Sequence, residues 1–314
     1  MRRALLLPLL ALCLLPGLAL AGRAVQAKMS APKLDCPDSA GLGEPFVVRL
    51  RLASAPKSVS LTWLARRISL TGRSIPGRPG SPGSPGGWET VALLGTDVGN
   101  TSLGRHGLVV RLGGKGGRVM QKSIAVLPVK RPVESLELDP AMVTPPAEAY
   151  PRIQAERQQI QGLLAGLLER PAKAGVDGRN WSLPLARPVP GEVSSIYGIG
   201  RILNGQRRAP HRGLDMEAET GEPVLAAADG TVLFSGPLYY AGNAVYLDHG
   251  QGLATSYFHL SQRRVETGAH VARGQVLGLA GATGRSTRSH LHFGVWALGR
   301  LVDPEPLFLY GPLP

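Results

Sequence analysis

The chain has 314 residues and a formal charge of +13, from 35 Lys and Arg against 22 Asp and Glu. That length allows two domains with real cores, and the positive excess predicts attraction to polyanions. The lack of a recognisable nucleic-acid motif, together with an N-terminus that reads as an export signal, argues against nucleic acid and for an anionic cell envelope.

Met1-Arg2-Arg3 precedes an apolar run from Ala4 to Leu20 that is broken by Pro8, Pro16 and Gly17 and ends in Ala19-Leu20-Ala21. A basic start, a short apolar core and a small-x-small end predict a secretory signal peptide over residues 1–21. A permanent membrane anchor fits less well, because the run is short and holds prolines. Cys13 follows Leu12, where a lipidated cysteine needs a small residue. With Cys13 removed, Cys36 is the sole cysteine, so no intramolecular disulfide is expected and Cys36 reads as a small residue near the first strand.

Residues 22–140 are expected to form an N-terminal β-sandwich-like domain. Glu44–Leu50, Ser58–Trp63, Glu89–Leu94, Gly107–Leu112 and Val119–Val126 show alternation or β-branched enrichment, with turn residues between them. The Pro/Gly segment from Pro76 to Gly87 has no strict triplet, which excludes collagen and predicts a loop. His106 stands alone and carries no apparent chemistry.

Residues 141–190 read as a helical linker. Ile153, Ile160, Leu163, Leu164, Leu167 and Leu168 recur at helical spacing, predicting a helix packed on a neighbouring domain and stopped by Pro171. Pro184, Pro188 and Pro190 mark the entry to the next domain.

Residues 191–314 are glycine-rich with short strand-like runs, the pattern of a compact antiparallel sheet. The clearest runs are Val224–Ala227, Gly230–Phe234, Ala244–Asp248, Leu253–His259, Val276–Leu279 and His290–Trp296. Val265–Leu279, with Gly268 and Gly274 flanking Val271, is expected to be a hairpin flap. The predicted fold class is therefore mainly β, with one connecting helix.

Six of the seven histidines fall between positions 211 and 292. In His290-Leu291-His292 the two imidazoles leave the same face of a strand while Leu291 packs behind them. His211-Arg212-Gly213-Leu214-Asp215 places an imidazole and a carboxylate where both can face inward, and His259 ends the run Leu253–His259. Three protein donors with an open fourth position are the arrangement of catalytic zinc, the open position holding a water activated by the metal. His211, Asp215 and one member of the His290/His292 pair supply three donors, and spacing does not say which member. His259 and the other member of the pair would orient the water and stabilise the oxyanion.

Taken together, Tyr197-Gly198, His211-x-Gly213-x-Asp215, Gly221–Ala227, Asp248-His249-Gly250, Tyr257-x-His259-Leu260 and His290-x-His292 resemble the M23 family of zinc metallopeptidases, the lysostaphin- and LytM-like cell-wall endopeptidases. The likeness covers roughly residues 190–308, and the preceding β region and helix resemble the N-terminal domain of many exported M23 peptidases. The resemblance implies one Zn2+ per chain held by His211, Asp215 and His292, with His259 and His290 as the catalytic histidines. Arg288-Ser289 departs from the family pattern at the rim and removes no ligand. His249 is expected to be structural and His270 exposed.

The implied function is hydrolysis of peptide cross-links in peptidoglycan, with peptide stems or cross-bridges as substrate and anionic envelope polymers or a regulatory protein as further partners. The expected location is the periplasm, with the extracellular medium as the alternative. Two non-enzymatic readings compete: a LytM-like regulator that activates an amidase, and a plain wall-binding module. Such regulators have lost zinc ligands, whereas all five site positions are intact here.

Overall fold

The computed structural model describes residues 31–76, 86–114, 117–137, 140–170 and 178–312. The signal-peptide reading, the centre of the Pro/Gly segment and the proposed stop at Pro171 lie outside the described residues. The architecture is mainly β, as the alternation predicts.

The N-terminal β body has two sheets enclosing one core. In the first, Lys33–Asp35, Pro45–Leu52, Gly87–Gly95 and Arg73–Ile75 lie side by side; in the second, the order is Ser39–Gly41, Arg118–Leu127, Gly104–Gly113, Ser58–Trp63 and Arg66–Leu70. Leu50, Leu61, Trp63, Leu94, Leu108 and Ile124 fill the space between them. Pro45–Leu52 alternates buried and half-exposed residues, as a strand with one core face must. Gly87–Gly95 does not alternate, being buried almost throughout. Its Ala92 and Leu94 enter this core while Val91 and Leu93 enter the core of the C-terminal body.

The helix Tyr150–Glu169 buries Ile160, Leu164 and Leu167 against Leu233, Leu238, Ala241, Ala244, Tyr246 and Ala254 of the C-terminal body. It has no side-chain cap at its N-terminus. Burial of those three side chains, each about 1.5–3 kcal/mol, is what holds it in place.

In the C-terminal body an antiparallel sheet runs in the order Val193–Ser195, Leu214–Glu217, His290–Ala297, Leu253–Leu260, Gly242–Asp248, Gly230–Leu238 and His270–Val271, with Arg300–Val302 also paired to His290–Ala297. Behind it lies the core of Leu214, Met216, Val245, Tyr257, Leu291 and Phe293. Pro223–Leu225, Val276–Leu279 and Gln262–Arg263 make a small second sheet. A third joins Val133–Leu136 in parallel to Gly200–Leu203, which pairs in turn with Gln206–Arg208.

The expected flap over Val265–Leu279 is not a hairpin. His270–Val271 pairs with Gly230–Leu238, and Val276–Leu279 pairs with Pro223–Leu225 and Gln262–Arg263. Val265 and Val271 are buried, so core packing outweighs the local turn signal of Gly268 and Gly274.

Candidate active site

The site is built on the strand His290–Ala297. Leu291 is fully buried behind the sheet, and His290 and His292 project from the opposite face. The register places Asp215 directly across from His292 and Glu217 across from His290. Directly opposed side chains are neighbours, and Asp215 Oδ1 accepts a hydrogen bond from His292 Nδ1 at 2.7 Å. On the other side Phe258 is opposite His292, and their rings stack at a centroid distance of 5.1 Å.

His211 arrives on the segment leading into Leu214–Glu217. Its backbone is pinned by Ile199 and Gly198, its N–H donating to the Ile199 carbonyl and its carbonyl accepting from Gly198. Its Nδ1 faces the Ile196 carbonyl at 3.0 Å, so that nitrogen carries the proton and Nε2 presents a lone pair. Nε2 lies 3.0 Å from both Asp215 Oδ1 and His292 Nδ1. Gly213 makes this convergence possible: a Cβ there would meet Cε1 and Nε2 of His292 at 2.4 Å.

His259 and His290 flank the cluster, their ring centroids 4.8 Å apart. His259 Nδ1 donates to the Thr283 carbonyl at 2.8 Å and His290 Nδ1 to the Arg288 carbonyl at 2.9 Å. Each ring is thereby held in the tautomer with Nε2 bare, and His290 Nε2 reaches to 3.7 Å from Asp215 Oδ1. The His259 backbone adopts φ 64°, unusual for a residue with a side chain, and its N–H donates to the Ala241 carbonyl. Burial, then the neighbouring His292 and His290, push its pKa down to about 3, so His259 is neutral at pH 7.

Burial alone would raise the Asp215 pKa, but the adjoining His211 and His292 rings outweigh it and hold the carboxyl well below the ordinary carboxylate range. Arg201 secures its second oxygen: Nη2 lies 3.2 Å from Asp215 Oδ2, while Nε donates to Glu134 Oε1 at 2.8 Å. Neither Arg201 nor Glu134 is marked by sequence spacing. Arg201 bridges Glu134 and Asp215 because Val133–Leu136 and Gly200–Leu203 pair beside the site.

His211, Asp215 and His292 thus place two imidazole nitrogens and one carboxylate oxygen 2.7–3.0 Å apart. Donors of a tetrahedral zinc with bonds of about 2.0–2.1 Å stand about 3.3–3.4 Å apart, so a small outward movement fits the group to the ion. Only one proton, on His292 Nδ1, lies among the three atoms; replacing it leaves three converging lone pairs, the donor set of a divalent cation.

The remaining histidines lie elsewhere. His249 is fully buried, bonded to the Asp229 carbonyl and Thr255 Oγ1, each at 2.7 Å, and burial lowers its pKa. His270 is exposed beside Thr231, and His106 contacts the Ser102 carbonyl. Arg288 reaches Glu217 at 3.6 Å on the rim, and Cys36 is free and half-buried.

Residues 209–304 match the model of peptidase family M23. Peptidoglycan DD-endopeptidase ShyA of Vibrio cholerae is 44% identical over 112 residues, which cover 35% of this chain and 26% of ShyA. DD-carboxypeptidase/endopeptidase Mpg of Neisseria meningitidis serogroup B is 42% identical over 122 residues, covering 38% of this chain and 28% of Mpg. The chain thus spans about a quarter of the length of these curated relatives. A solved structure from Pseudomonas aeruginosa, assigned to peptidase M23, superposes with a TM-score of 0.59 at 27% identity, over 84% of this chain and 93% of that one. Residues 209–304 are therefore a peptidase M23 domain.

Proposed function

We propose that this chain is an exported zinc-dependent endopeptidase that hydrolyses peptide cross-links of peptidoglycan. The observation that carries the reading is the convergence of His211 Nε2, Asp215 Oδ1 and His292 Nδ1 beside two further histidines with inward-facing Nε2 atoms. The M23 match over residues 209–304 supports a peptidase. The name of ShyA supports peptidoglycan as substrate, and the DD in the names of ShyA and Mpg supports a D-amino-acid cross-link over a glycine bridge.

His211, Asp215 and His292 would hold the ion. Zinc supplies Lewis acidity when bound, polarising the scissile carbonyl and lowering the pKa of water. His259 and His290 then have the chemistry for proton transfer. With Nδ1 committed to a backbone carbonyl, the Nε2 of each ring accepts a proton from the attacking water and returns it to the leaving amine. Once protonated, either ring stabilises negative charge on the tetrahedral oxygen. Thr283 and Arg288 fix both rings through backbone carbonyls, so little reorganisation is needed. Arg201 holds Asp215 Oδ2 and leaves Oδ1 for the ion. Export through residues 1–21, a periplasmic location and adhesion of the basic surface to the envelope complete the proposal. A non-catalytic amidase regulator would lack part of this donor set.

The test measures zinc content and muropeptide release by the mature protein beside a His211→Ala variant. One zinc per chain and new peptide fragments that vanish in the variant are expected. Folded protein that takes up no zinc and releases no fragments refutes the proposal.

A further inference from the structure

The sheet face that carries the histidines continues past them. Residues two apart share a face, so Gly294 and Trp296 follow His290 and His292, with Ser256 and Ala254 opposite them on the next strand. Above this surface the helix Tyr150–Glu169 and the loop Asp97–Asn100 enclose a cavity of about 790 Å³. The cavity shares Arg212, Tyr240, Ala241 and Phe258 with the cleft around the histidines, so the two spaces adjoin.

Its lining combines apolar and cationic side chains. Tyr246, Phe258 and Trp296 line it together with Ile160 and Leu164 of the helix, and so do Arg66, Arg212 and Arg300. The two lining carboxylates are already engaged. Asp97 is bound by Arg212 and by the Gly99 N–H, and Glu156 by Arg152 and the Tyr239 N–H. Among the described residues Arg300 donates to the carbonyls of Asn100 at 3.3 Å and Leu64 at 3.1 Å. Burial, then the adjacent Arg66, lower its pKa from the usual arginine value, consistent with crowded like charges. Arg212 Nε, Arg300 Nε and Trp296 Nε1 are buried with no acceptor. Four arginines against two engaged carboxylates leave the lining with surplus positive charge, so the complementary group is an anion.

Resting on the endopeptidase reading, we propose that this cavity is a substrate subsite that takes a carboxylate of an acidic peptide at Arg66, Arg212 and Arg300 while its backbone lies against Phe258 and Trp296. His292 and Trp296 are four residues apart on one strand, roughly 13 Å. An extended peptide covers that distance in about four residues. Stem peptides of peptidoglycan bear free carboxylates within that reach of a cross-link. The anion would arrive from the substrate itself, without a second ligand.

The experiment compares two synthetic cross-linked stem peptides, one with free carboxylates and one with those carboxylates amidated. Cleavage by the zinc-loaded full chain is followed, and binding to the zinc-free chain is measured by calorimetry. The variants are Arg300→Gln and Trp296→Phe, the latter deleting only the indole N–H and the outer ring. The expected result is a KM for the carboxylate peptide raised about tenfold more than that for the amidated one in Arg300→Gln, with a smaller shift in the same direction for Trp296→Phe. Equal losses on both peptides mark a structural role and overturn the proposal, as does wild-type protein that treats the two peptides alike. Selective binding lost in Arg300→Gln, without cleavage of either peptide, would keep the subsite and count against the endopeptidase.

Discussion

Gly213→Ala adds one methyl group at the closest approach in the site. The new Cβ would stand 2.4 Å from Cε1 and Nε2 of His292 and 2.9 Å from the Phe293 carbonyl oxygen. Carbon contacts settle at about 3.5–4.0 Å, so the imidazole must retreat by on the order of 1 Å. It cannot do so freely, because Phe258 stacks on it and the strand beneath is paired on both sides. Metal–ligand bonds tolerate only about 0.2 Å, so the displacement removes His292 from an effective position. Gly213 does not have a positive φ, so the cost is this contact and no backbone strain. Zinc affinity, measured by competition with a chromophoric chelator, is expected to fall about 10–100-fold. The zinc-free variant should lose about 1–3 kcal/mol in urea unfolding. A folded variant that binds zinc as tightly as wild type would refute the argument that Gly213 makes room for the ligand.

Arg201→Ala leaves Asp215 Oδ2 without its guanidinium, and zinc affinity should drop about tenfold with the fold retained; unchanged affinity would show that Arg201 does not position the carboxylate. His259→Ala and His290→Ala should keep one zinc per chain while cleavage falls about 10²–10⁴-fold, and loss of zinc from either variant would reassign that residue as a ligand. Chelation should lower the melting temperature, since an ion at 1,000 times its Kd stabilises the native state by about 4.1 kcal/mol; identical melting curves would mean that no ion is bound. The zinc-free protein should also weaken on acidification. His249 and His259 have depressed pKa values in the fold, the latter about 3, whereas unfolded histidine titrates near 6.5. Below that value the unfolded chain binds protons that the native chain refuses. Each such group then costs up to about 1.4 kcal/mol per pH unit until the folded pKa is reached. Urea midpoints at pH 7.5 and 5.5 test this, and equal stability at both would contradict it.

Local periodicity by itself determined the main strands, the helix stripe and the common face of His290 and His292, because side-chain direction along one element depends only on its own backbone. The motif resemblance further separated His292 from His290 as the expected ligand. What local pattern could not contain was the pairing of distant segments. Only the register of Leu214–Glu217 against His290–Ala297 puts Asp215 beside His292. Only the strand pairing of Val133–Leu136 with Gly200–Leu203 lets Glu134 hold Arg201, which reaches that carboxylate. Gly87–Gly95 hides its alternation because both its faces meet cores, and Val265–Leu279 abandons its hairpin because Val265 and Val271 are more stable buried than in a flap. The cavity beneath the helix likewise exists only where three separate parts of the chain meet. Residue types and local spacing supplied the candidate ligands and proton carriers; long-range packing decided which atoms face one another.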